Sequence, residues 1–195
     1  KSIVKPIDKK SNYVKRCQGT PGDNLEIKNG QVFINGKALL LPERAKSQHS
    51  YYITYDMNAS LDFEYLLNQV NATDGAGFRT EARDTLIVRA LTDEGVNQLK
   101  QVSGIKTVEK IISKIGEPNI FTHNPNWNGD NMGPIYIPET GKTISLTKQN
   151  LPFYKRLITV YENHTLKTVG DDIFIDDKKT NTYTFQQNYY WMMGD

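Results

Sequence analysis

Asn12-Tyr13-Val14-Lys15-Arg16-Cys17-Gln18-Gly19-Thr20-Pro21-Gly22-Asp23 runs, through Asn24, into Leu25-Glu26-Ile27-Lys28, Asn29-Gly30, Val32-Phe33-Ile34 and Asn35-Gly36. Tyr13-Val14 reads as the start of a strand, with Lys15 and Arg16 pointing to opposite faces because side chains alternate along an extended chain. Gly19 marks a bulge or a close backbone approach. Pro21-Gly22 fits the central pair of a type II turn, which needs a positive φ at its second position. Leu25 to Lys28 alternates apolar and polar residues, and each Asn-Gly pair is a two-residue hairpin turn. The whole stretch to Leu40 is therefore β.

The same pattern returns late in the chain. Thr168-Val169-Gly170-Asp171-Asp172 precedes Ile173-Phe174-Ile175-Asp176-Asp177-Lys178, a second hairpin with a second turn behind it. Two copies are too few for a solenoid and indicate a repeated hairpin in one β domain. Between the copies the texture changes. Tyr51–Met57 reads as a strand. Leu61–Val70 has the apolar spacing of a helix, with Ser60 as its cap. Thr85–Leu91 is a strand, Thr92 caps a helix reaching Lys100, and Asp93 and Glu94 occupy the first turn, where the helix dipole favours acids. Ile105–Ile115 is a further strand. Residues 118–138 are rich in Asn, Pro and Gly and read as a long connection, after which Thr143–Leu146 and Leu157–Tyr161 resume strands and Tyr183–Met193 closes the chain. The fold class is α+β: a mainly antiparallel β core from residues 1–49 and 116–195, with a small α+β subdomain, 50–115, inserted in it. One shared sheet face is expected for the two helices, because a small sheet with crossover helices buries one side most economically.

Composition narrows the function. The 195 residues are 37% hydrophobic and 24% charged, with a net charge of +2 spread along the chain. That supports a packed core and offers no basic stripe with interleaved aromatics, the footprint of a nucleic-acid binder. No run approaches the ~20 apolar residues of a membrane helix. Cys17, the single cysteine, excludes an internal disulfide framework. His49, His123 and His164 lack metal-ligand spacing, Asn128-Gly129-Asp130 lacks the spacing of a calcium loop, and no cofactor is implied. The chain closes on an apolar-aromatic run, Tyr189-Tyr190-Trp191-Met192-Met193, followed by Gly194-Asp195, and reads as an excerpt from a longer protein.

Residues 12–23 resemble the lysine box of bacterial type I signal peptidases, Tyr-(Ile/Val)-Lys-Arg, two residues, Gly-x-Pro-Gly-Asp, at every defining position. Tyr189 to Asp195 resembles the start of the family's last box, aromatic-x-Met-Met-Gly-Asp. The two boxes stand in the family's order. The resemblance implies a signal-peptidase-like core and a serine–lysine dyad, in which an amine base takes the proton of a serine nucleophile. Lysine suits the task because its pKa falls readily when desolvated. Lys15 is the implied base, and the serine is expected upstream of this chain, near a membrane anchor. Without it the fragment is expected to be inactive. Tyr13 and Val14 are the implied substrate-binding residues, against which a preprotein lies as an added strand. Met192 and Met193 are expected to supply apolar surroundings for Lys15. Arg16 is expected to pair with Asp195, with Asp23 as the rival partner.

The resemblance further implies an enzyme at the bacterial cytoplasmic membrane, held by an anchor outside this chain, with its catalytic domain on the extracytoplasmic (periplasmic) face. Its partners are preproteins carrying signal peptides. Two other readings compete. One is a non-enzymatic β domain that binds protein or glycan through the inserted subdomain. The other is a self-cleaving repressor protease, which uses the same dyad but usually lacks the Lys-Arg…Pro-Gly-Asp box.

Overall fold

The computed structural model describes residue 6 and residues 13–72, 74–79, 81, 83–121 and 123–194. In chain order the strands begin with β1 (Arg16–Gly19), β2 (Asn24–Lys28), β3 (Gln31–Ile34) and β4 (Lys37–Ala38). Then come β5 (Gln48–Tyr55), α1 (Phe63–Gln69), β6 (Ala76–Phe78), β7 (Thr85–Thr92), α2 (Asp93–Leu99) and β8 (Ile105–Lys110). The last part holds β9 (Met132–Tyr136), β10 (Thr143–Ser145), α3 (Leu151–Arg156), β11 (Leu166–Val169), β12 (Asp172–Ile175), β13 (Lys178–Lys179), β14 (Thr182–Thr184) and β15 (Trp191–Met193). A π-helical turn, Leu157–Tyr161, continues α3. The chain divides into two compact units, residues 40–114 and the two flanking segments, up to 39 and from 115 to 194.

In the flanking unit, the repeat seen in the sequence becomes two three-stranded meanders. β2, β3 and β4 are joined by Asn29-Gly30 and Asn35-Gly36, with φ of 51°, 73°, 51° and 77°. β11, β12 and β13 are joined by Gly170-Asp171 and by Asp176-Asp177, the latter pair at φ 49° and 62°. Positive φ at the central residues is what two-residue hairpin turns require. Leu25, Ile27 and Val32 from the first meander join Met132, Ile135 and Ile137 in one buried cluster. Ile173 and Ile175 from the second join Leu146, Leu151, Tyr154, Ile158, Tyr183 and Phe185 in another. Phe153 and Tyr189 pack against both clusters and link them.

Two readings of this unit are corrected. Leu157–Tyr161 is helical and not a strand. Its β-branched residues suggest a strand, but Leu151, Tyr154 and Ile158 recur at helical spacing and are all buried. Upstream, Thr147 and Asn150 exchange hydrogen bonds between backbone N–H groups and side-chain oxygens at 2.8 and 3.2 Å, and Pro152 opens α3. The connection 118–138 contains a strand, β9, paired with β2. A proline in its middle is tolerated because the sheet order β4-β3-β2-β9 leaves β9 on the edge. Gly133, at φ 107°, passes so close to β2 that a Cβ there would lie 2.8 Å from the Leu25 carbonyl oxygen.

The 40–114 unit has the order βαββαβ, and its all-antiparallel sheet runs β6-β7-β5-β8. That is the ferredoxin-like, split βαβ arrangement. Leu66, Leu67 and Val70 of the α1 segment and Val96 and Leu99 of α2 pack in one cluster with Tyr51, Ile53, Leu86, Val88 and Val108. Both helices therefore cover one sheet face, as expected. Thr92 caps α2, its hydroxyl accepting the Gly95 N–H at 3.2 Å. The α1 cap is Asp62, not Ser60, and it accepts the Tyr65 N–H at 3.0 Å. Two strand limits also differ. β5 starts at Gln48, within the span assigned to the β core, and β8 stops at Lys110. Among the described residues, no helix is long and apolar enough to cross a membrane.

Replacing Thr92 with alanine removes the acceptor for an otherwise orphaned helix N–H. It should lower the stability of the 40–114 unit by ~1 kcal/mol, measured as a shift in urea midpoint at constant slope. A Ser60→Ala substitution should leave that midpoint unchanged.

Candidate active site

The site is built on one antiparallel pair. β1 lies beside β15 with Arg16 opposite Met193, Cys17 opposite Met192 and Gly19 opposite Trp191. Gln18 is the extra residue of a bulge between the last two pairs. Gly19 meets both halves of its sequence reading, since a Cβ there would lie 2.2 Å from Ile137 Cδ1. Only a glycine lets β1 settle this closely onto the apolar cluster, and the bulge re-aims the strand at that point.

Behind β1 the chain turns sharply. Gly22 has φ 90°, and the Asp23 N–H donates to the Thr20 carbonyl at 3.1 Å, the geometry of a type II turn. The Asp23 carboxylate accepts from the Thr20 N–H and hydroxyl, each at 2.8 Å, and from the Asn35 amide at 2.7 Å. Partial burial pushes the Asp23 carboxyl up, but the hydrogen bonds from Thr20 and Asn35 outweigh it and hold the group below its ordinary value. Asp23 thus ties the turn to the second Asn-Gly hairpin.

Lys15 precedes β1, is exposed, and runs along bare backbone. A Cβ on Gly194 would lie 2.9 Å from Lys15 Nζ and 3.7 Å from its Cδ. The two stretches that carry the resemblance therefore meet, Lys15 with Gly194 and Arg16 with Met193. Gly194 is a contact that sequence reading did not single out; its signal was a glycine one step beyond a strand of large side chains. Tyr13 and Val14 lie before the strand, which begins at Arg16, and are 82% and 94% exposed. The reading of Tyr13-Val14 as strand is thus corrected: the pairing with β15 ends at Met193 and gives them no ladder. Met193 packs against the apolar cluster, whereas Met192 is 52% exposed on the Cys17 side. The two methionines point to opposite faces, as the pleat requires. Cys17 itself is exposed, its thiol donating to the Gly19 carbonyl at 3.4 Å. Arg16 is half-buried; Asp195, the partner expected for it, lies outside the described residues.

Residues 2–129 match the family described as signal peptidase, peptidase S26. The chain belongs to that family. A stretch of 64 residues is 42% identical to signal peptidase I P of Bacillus subtilis subsp. natto, covering 31% of this chain and 32% of that protein. The matched segment thus spans about a third of the length of the curated relative. No solved structure matches the chain.

Asp23 gives the site a pH signature. Its lowered carboxyl value means that its contribution to stability is present above the ordinary aspartate value of 3.8 and is lost as pH falls through the lowered one. Thermal unfolding of wild type and Asp23→Asn, followed over pH, should show a gap that is widest near neutrality. It should narrow below the carboxylate range.

Proposed function

We propose that this chain is the base-bearing part of a membrane-anchored serine endopeptidase that removes signal peptides from exported preproteins. The observation that supports it most is the meeting of two motifs from opposite ends of the sequence, Lys15 on Gly194. In this reading Lys15 is the general base and takes the proton of a serine supplied by a segment outside these residues. An amine base must shed its charge, and desolvation favours that. Lys15 is exposed in the chain by itself, so the serine-bearing segment and the bound preprotein complete its dry surroundings. Tyr13 and Val14, free of ladder partners, are the backbone against which the preprotein strand lies. Residues 40–114 form a subdomain inserted in the peptidase core, and the catalytic domain faces the extracytoplasmic side of the bacterial membrane.

The test uses the intact protein and a preprotein substrate. Lys15→Ala should lower cleavage by at least ~100-fold, the usual worth of a general base. Lys9→Ala and Lys10→Ala should leave it unchanged. Wild-type cleavage should rise with pH, since the base acts as the neutral amine. Full activity in Lys15→Ala overturns the assignment.

A further inference from the structure

Glu162 follows the π-helical turn and is 8% exposed, the one buried carboxylate among the described residues. Its oxygens accept from the Tyr183 hydroxyl, from the Tyr189 hydroxyl at 3.1 Å and from the Gln186 N–H at 3.1 Å. A buried carboxylate is costly unless its lone pairs are satisfied, and here three donors satisfy it. All three come from a single stretch, residues 183–189, which carries the chain from β14 towards β15. Tyr189 is held at a second point, its N–H donating to the Pro138 carbonyl at 3.0 Å. Two residues further on, Trp191 enters the pairing with β1, and Gly194 then lies against the end of the Lys15 side chain.

We propose that Glu162 is a positioning residue for Lys15: by holding Tyr189 and Gln186 it sets where β15, and with it Gly194, lies along the lysine. The proposal rests on Lys15 being the base. Glu162 touches neither Lys15 nor Gly194 and acts through Tyr189 and the strand that follows.

The test is kinetic and chemical, on the intact protein. Glu162→Gln keeps the shape of the side chain but turns an NH2 group towards one of the donors. It should lower kcat about tenfold to a hundredfold, the range that misplacement of a catalytic group produces, and leave KM within about twofold. Tyr189→Phe, which keeps the ring, should reproduce part of the fall. The double variant should lose less than the product of the two, because both act along one path. Should Glu162→Gln not fold, Tyr189→Phe carries the test alone. The Cys17 thiol, opposite Met192, gives a readout that needs no activity. Its alkylation rate in the folded protein should rise in either variant. A kcat loss that only tracks a smaller folded fraction, or unchanged kcat with unchanged Cys17 alkylation, overturns the proposal. If the wild type cleaves no preprotein, the reading of Lys15 fails, and Cys17 alkylation still decides whether Glu162 positions β15. Faster alkylation supports that placement and an unchanged rate refutes it.

Discussion

The pairing of β1 with β15 is the constraint on which the site depends. It joins Cys17 to Met192, so nearly the whole chain lies in the loop it closes. Closing a loop of that length costs on the order of 4–5 kcal/mol if done in one step. A two-stranded ladder is at best marginally stable by itself. The ladder persists because its side chains are anchored elsewhere. Trp191 and Met193 pack on the cluster of Leu25, Ile27 and Ile137, and Gly19 drops the strand onto Ile137. The site is therefore the last thing the core supports. These packing contacts are apolar contact or backbone fit.

Polar groups play a different part. Asp23 and Glu162 each collect three or more hydrogen bonds from donors within the flanking unit. Asp23 fixes the exit of β1, and the donors of Glu162 lie ahead of the entry of β15. Burial pushes the Tyr189 hydroxyl up to about 12, helped by Glu162 and opposed by the amide of Gln187. It therefore remains a donor to the carboxylate throughout the physiological range. Lys15 itself, between these fixed points, keeps a long and exposed side chain.

What the sequence disclosed follows a physical division. Features determined by a few adjacent residues were legible: the Pro21-Gly22 turn, both Asn-Gly hairpins, the Thr92 cap and the close approach at Gly19. The late meander was legible because its Gly-Asp and Asp-Asp turns echo the first. Features decided by distant partners were not. Ile158, Thr159 and Val160 favour a strand locally, and only the burial of Ile158 beside Leu151 and Tyr154 makes the segment helical. Met132 to Tyr136 looks like a loop until an edge of β2 accepts it. Tyr13-Val14 looks like a strand and has no ladder, because β15 ends at Met193. The contact of Gly194 with Lys15 was not legible either, since it exists only once the two ends meet.

The 40–114 unit enters on β5 and leaves on β8, and those two strands are neighbours, the Ile111 N–H donating to the Ser50 carbonyl at 2.8 Å. Chain that leaves a scaffold and returns at almost the same point makes few demands on it. A module whose two ends lie side by side can be lengthened, shortened or exchanged as a cassette.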